Sequence, residues 1–196
     1  MEVNEPAPKY FPRMSPSAFL EWEREQECKH EYVDGEVLAM SGASINHNKI
    51  VTNIVGNLWP YLKDKSCDIF ASDLRVSVKW KDSFFYPDAT IICDEPEFDD
   101  EKIKDTIKNP TVIFEILSAS TENYDMGKKM MFYMQIESLQ QYINIDSKSL
   151  YVRVMTRRAE ERTWKFDEFI HVNDKVFIEP INFEISLTDL YKGIKF

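Results

Sequence analysis

The stretch Pro110-Thr111-Val112-Ile113-Phe114-Glu115-Ile116-Leu117 constrains the fold more than any other part of this chain. A run this apolar has no face to turn to water, so it reads as a central strand covered on both sides. Strands of that kind sit in sheets flanked by other layers, which points to an α/β core. One residue breaks the pattern. Glu115 places a carboxylate where burial is costly unless the group is paired, protonated or bound to a metal.

The neighbouring segments extend the picture. Upstream, residues 84–93 form another apolar strand, interrupted by Pro87-Asp88. Proline cannot donate to a strand ladder, so Pro87 marks an edge, a bulge or a strand start, and a deformed spot that aims Asp88 out of the sheet. Downstream, Ser118-Ala119-Ser120-Thr121 ends the central strand and supplies caps for a helix predicted over 122–136. Asp125, Lys129 and Tyr133 follow one another on it at one-turn intervals. The next strand, 139–146, runs parallel to the central one if the helix crosses over right-handedly.

The remainder is consistent with one domain. Ser15-Pro16 opens a first helix, ending near 26 or 27, with Phe19 and Trp22 on one face. Asp34-Gly35 between 29–33 and 36–40 is a hairpin signal. After the small-residue turn Ser41-Gly42-Ala43-Ser44, a helix over 45–63 carries Ile50, Ile54, Leu58 and Tyr61 near helical spacing, with Pro60 late enough to affect only its last turn. His47 lies in its first turn and reads as a capping or surface residue. A short strand starts at Ile69-Phe70, and residues 74–80 then alternate strictly. That alternation places Asp73 and Arg75 outward, as a surface ion pair or a substrate contact. An acidic, solvated connection spans 94–109. The C-terminal part is a meander, with strands over 150–157, 163–169 and 176–178 around the charged turn Arg158-Ala159-Glu160-Glu161, and a helical turn at 186–191. The domain covers 13–196 behind a polar, proline-rich leader, Met1 to Pro12, which lacks a signal-peptide pattern.

Composition excludes several chemistries. With five glycines and no Gly-rich loop, the chain offers no nucleotide-phosphate cradle. No His or Cys spacing suits zinc, and no nucleophile elbow suggests a serine hydrolase. Cys28, Cys67 and Cys93 are isolated in sequence and read as reduced thiols, so the expected location is cytoplasmic. No apolar run approaches the ~20 residues of a membrane span. The net charge of −10 argues against a broad phosphate-gripping surface, because neutralising phosphates normally takes a basic face.

What remains is oxygen-ligand metal chemistry. Asp88 and Glu115 can present carboxylates to Mg2+, which keeps several waters and leans on one or two acids. A lysine nearby would steady charge or orient the attacking water, and Glu31 on the hairpin could complete the acid cluster. Spacing alone does not separate this arrangement from a buried salt-bridge network.

The chain resembles the Uma2 family of restriction-endonuclease-like proteins, within the PD-(D/E)-x-K nuclease superfamily. The resemblance is carried in order by Met14-Ser15 through Trp22, Tyr32-Val33-Asp34-Gly35-Glu36, His47-Asn48, Ser72-Asp73-Leu74-Arg75-Val76, Tyr86-Pro87-Asp88, Phe114-Glu115-Ile116-Leu117-Ser118, and Asp125 through Lys129 and Tyr133. It implies a restriction-endonuclease-like fold, a mixed sheet flanked by helices. It also implies a DNA substrate and a Mg2+ or Mn2+ cofactor. By the resemblance Asp88 and Glu115 are the metal-binding acids and Glu31 is an additional acid. Leu117 stands where the superfamily's lysine is expected, and Lys129 matches the branches in which that lysine has moved to the following helix. Lys128 is its nearest rival. The C-terminal meander offers an edge through which a homodimer could form.

Overall fold

A computed structural model of the chain describes residues 11–40, 42–118, 121–158 and 160–196. Leader positions 1–10, Ser41 of the small-residue turn, Ala119 and Ser120 before the third helix, and Ala159 of the charged turn lie outside the described residues.

Helix α1 (Pro16–Glu23) starts as the sequence suggests, with the Ser15 hydroxyl accepting from the Ala18 N–H. Strands β1 (His30–Val33) and β2 (Glu36–Ala39) form a hairpin in which Val33 faces Glu36. Both turn residues, Asp34 and Gly35, have positive φ, the backbone that a two-residue turn of this twist demands. Helix α2 (Ile45–Leu62) buries Ile50, Ile54, Leu58 and Leu62 as one stripe. Each such side chain contributes roughly 1.5–3 kcal/mol by leaving water.

The strands β3 (Asp68–Ala71), β4 (Arg75–Val78), β5 (Ser83–Phe85), β6 (Ala89–Ile92), β7 (Thr106–Ile107) and β8 (Val112–Leu117) divide between two sheets. One has five strands in the order β2-β1-β5-β4-β7; the other has six, in the order β11-β10-β9-β8-β6-β3. Its remaining members are β9 (Gln141–Asp146), β10 (Val152–Arg158) and β11 (Thr163–Phe169). As the sequence suggests, β8 is central and wholly buried, and it runs parallel to β9. The hairpin β12 (Lys175–Ile178) and β13 (Phe183–Ser186) and a last helical turn, Leu187–Leu190, pack with α2 on one face of the six-stranded sheet. The opposite face meets the five-stranded sheet and the helical segment 122–133.

Three expectations need correction. Residues 84–93 are not one strand: β5 pairs in the first sheet and β6 in the second, and the chain changes sheets at Tyr86-Pro87-Asp88. Without an amide hydrogen, Pro87 cannot carry a ladder through that point. Arg75 is not outward. It is 2% exposed, donating to Thr106 Oγ1, the Tyr86 hydroxyl and Asp105, whereas Asp73 is exposed and pairs with Lys29. The polar atoms of β7 and of the sheet crossing give Arg75 an interior partner set that strand alternation cannot reveal. Finally, Cys67 and Cys93 are joined by a disulfide, and Cys28 is exposed. Cys67 and Cys93 flank the β3–β6 pair Asp68↔Ile92, a proximity created by the fold and hidden by 26 residues of separation. The reduced-thiol argument for a cytoplasmic location therefore falls away. Among the described residues, no helix is long and apolar enough to cross a membrane.

Candidate active site

Four elements bring the acids and the lysine together between the two sheets. On β1, Tyr32 points towards α1 while Glu31 and Val33 face the six-stranded sheet. Asp88 stands at the sheet crossing, one position before the Ala89↔Phe114 pair; Glu115 follows that pair on β8, so the two acids occupy opposed positions. Lys129 comes from the helical segment, which consists of Glu122–Tyr124, a π-turn at Asp125–Lys129, and Met130–Tyr133. Widened π-turns recur at functional sites. This one buries Asp125 and Lys129 and leaves Lys128 exposed, so Lys129 is the lysine that faces the acids.

The Lys129 ammonium lies 2.7 Å from Glu31 Oε1, 2.7 Å from Glu115 Oε1 and 3.8 Å from Asp125 Oδ1. Tyr133 donates its hydroxyl hydrogen to Glu115 Oε1 at 3.0 Å. Asp88 is held twice: Oδ1 is 2.8 Å from His47 Nε2, and Oδ2 accepts the Ile116 N–H at 2.7 Å. The structure thus unites Asp88, Glu115, Lys129 and Glu31. It adds His47, Asp125 and Tyr133 to them. His47 was legible only as a helix-start residue, because its reach across 41 positions to Asp88 depends on α2 packing over the sheet crossing. Asp125 and Tyr133 had a signal, their one-turn spacing about Lys129; the sequence alone reads Tyr133 as core packing ahead of a phosphate contact and gives Asp125 no role.

The electrostatics follow from burial. Glu31, Asp88, Glu115, Asp125 and Lys129 all have 8% or less of their surface exposed. Burial, reinforced by the Asp125, Asp88 and Glu31 charges, pushes the Glu115 carboxyl well above its usual range despite Lys129. Burial likewise raises Asp125 to about 6, against the pull of Lys129 and the Thr121 hydroxyl. On Lys129 burial opposes the charge, but Glu115 and Glu31 more than compensate and hold its pKa well above the ordinary value. Three carboxylates sharing one ammonium, with Asp88 opposite Glu115, leave excess acid charge that a hard cation or a shared proton can relieve.

Among the described residues, three side chains, Glu31, Tyr124 and Asn144, have buried polar atoms with incomplete hydrogen bonding. Glu31 Oε1 meets Lys129 only as an ion pair, and the Asn144 amide, next to Glu115 on the adjacent strand, interacts with the Tyr142 hydroxyl without forming a well-aligned bond. Such atoms fit a site that takes up a hydrated ion. Among the described residues no group of three or more His, Cys, Asp or Glu forms a ready-made cage. Mg2+ does not need one, since one or two carboxylates plus water suffice. The oxygen donors of Asp88 and Glu115 suit it.

Comparison with known proteins decides the family. Residues 16–188 match the family model Uma2, described as a putative restriction endonuclease. The chain belongs to the Uma2 family. Two uncharacterized Synechocystis proteins are similar across most of the Uma2 chain. One is 31% identical over 186 residues, covering 95% of each chain. The other is 32% identical over 163 residues, covering 83% of this chain and 91% of its relative. The crystal structure of a putative nuclease of the DUF820 group from Anabaena variabilis superposes with a TM-score of 0.77. It covers 93% of this chain and 99% of its own at 19% identity. The fold is the mixed, helix-flanked architecture of restriction-endonuclease-like proteins.

Proposed function

We propose that this Uma2 protein is a Mg2+-dependent endonuclease that hydrolyses phosphodiester bonds in DNA, with Mn2+ able to substitute. The observation that carries the reading is the placement of Lys129 between Glu31 and Glu115, with Asp88 opposite Glu115, in a buried seam between two sheets. Asp88 and Glu115 would hold the ion, which when bound lowers the pKa of water and offsets phosphate charge. Lys129 stays protonated and positions the attacking water or steadies negative charge on the phosphate. Glu31 anchors the ammonium, Tyr133 fixes the Glu115 carboxylate, and His47 with the Ile116 N–H fixes Asp88. Asp88 and His47 retain more side-chain exposure than Glu31, Glu115 or Lys129, so substrate would approach from their side.

The test is plasmid cleavage with Mg2+ or Mn2+, comparing wild type with Asp88→Asn and Lys129→Met. Each variant should lose about 100-fold or more in rate, the scale of losing one pre-organised electrostatic group. Indistinguishable rates in all three would remove these residues from the chemistry. A second reading, a nuclease-fold module that binds without turnover, draws support from the 3% exposure of both Glu115 and Lys129 and from the net charge of −10. Calorimetric titration with Mg2+ separates the two: a silent wild type at millimolar ion favours the binding module.

A further inference from the structure

We propose that β11 is a self-pairing edge, through which two copies of this chain join antiparallel across a two-fold axis at Phe166. The strand is hydrogen-bonded to β10 on one side and ends the six-stranded sheet on the other. An edge of seven residues offers unpaired N–H and C=O groups to any extended chain. Proteins commonly blunt such edges with charge, and Lys165, Asp167 and Glu168 are charges of that kind. Their order makes the edge selective.

Antiparallel pairing about a two-fold axis normal to the sheet keeps each residue opposite one on the same face, so the register can slip only in steps of two residues. With Phe166 on the axis, Lys165 faces Asp167 of the partner subunit, and the partner's Lys165 faces Asp167. Phe166, 50% exposed, meets its own copy. A slip one way puts Lys165 opposite the partner's Lys165, and a slip the other way puts Asp167 opposite the partner's Asp167. Like charges directly opposite are destabilising, whereas opposite charges and aromatic pairs stabilise a pair of strands. The sequence therefore favours one register and disfavours both neighbours. Lys165 and Asp167 already pair within the chain at 2.8 Å and are 53% and 36% exposed, so they can extend into an alternating four-charge cluster.

This inference does not rest on the nuclease reading. Seven strand spacings separate β8 from its copy in the joined sheet. A twist of about 20° per strand turns the two site faces away from each other, on the order of 140° in all. The dimer thus does not present both sites to one duplex, unlike one built for paired cuts.

The experiment is sedimentation equilibrium on the full chain, with Lys165→Asp, Asp167→Lys and the double exchange, each checked for folding by circular dichroism. Wild type should be dimeric, each single variant should dissociate at least about tenfold more readily, and the double exchange should restore the dimer. A monomeric wild type at about 100 µM overturns the proposal. So does a dimer indifferent to the single variants, or a double exchange that fails to restore association while remaining folded.

Discussion

Lys129 occupies the centre of the site, and only its one-turn spacing from Asp125 and Tyr133 distinguishes it in the sequence from Lys128. The difference is rotational: adjacent helical residues diverge by about 100°, and the π-turn directs Lys129 onto Glu31 and Glu115. Asp88 shows how much of the arrangement is supplied by supporting residues, since His47 fixes one of its oxygens. Replacing His47 with Ala should lower Mg2+ affinity about 10–100-fold, the usual effect of removing a group that orients a metal ligand. Calorimetry reads this directly, and unchanged affinity would make His47 a packing residue. Asp125 carries the opposite kind of information. Its folded-state pKa of about 6 lies above the usual carboxylate value of 3.8. Between those values the folded state binds more protons than the unfolded, so this carboxyl lowers stability as pH rises through that window and adds no further change above it. The shift corresponds to roughly 3 kcal/mol. Asp125→Asn should therefore be stabilised relative to wild type at about pH 7 and far less at about pH 4.5 in urea melts. A gain equal at both pH values would assign the effect to packing.

At the scale of elements, the sheet crossing at Tyr86-Pro87-Asp88 organises the molecule. Its geometry depends on a buried polar network. Arg75 donates to the Tyr86 hydroxyl, Tyr86 donates to Glu23, Glu23 accepts the His30 N–H, and Asp105 accepts from both Arg75 and Arg24. The network ties α1, β1, β4 and β7 to the residue two positions before Asp88. Arg75→Ala would leave these groups unpaired in the interior and should cost about 3–5 kcal/mol in denaturant melts, as removal of one partner from a buried ionic network does. A loss under about 1 kcal/mol would show that water takes over the role. Local signals were enough for much of this architecture: the Asp34-Gly35 hairpin, the α2 stripe, and the central β8 with its parallel neighbour all follow from periodicity and turn chemistry. What escaped depended on long-range contact. The interior placement of Arg75, the division of 84–93 between two sheets, the Cys67–Cys93 bond and the reach of His47 each require knowing which strands become neighbours. The acids and Lys129 were placed by family resemblance, because an Asp and a Glu on successive strands are too common to identify a site.

For the molecule as a whole, charge is the unusual property. Its densest run of positive residues, Arg153 to Lys165, offers little to a polyanion. Arg153 pairs with Glu168, Arg158 with Glu179 and Lys165 with Asp167, and Arg157 donates to the carbonyls of Leu139, Met134 and Ile136. With a net charge of −10 the chain has no overall positive field to draw in a duplex. A protein that neutralises 6–10 phosphates loses about 10³–10⁵ in affinity between about 50 and 200 mM salt, because each contact releases counterions. Here the bound divalent ion would offset much of the phosphate charge, and in this run Arg162 alone has no ion pair or side-chain hydrogen bond among the described residues. DNA affinity in Mg2+ should accordingly change less than about tenfold over that salt range. Fluorescence anisotropy with a labelled duplex measures the slope of log affinity against log salt. A slope steeper than about −4 would mean that several cations engage the backbone, against the expectation from the net charge of −10.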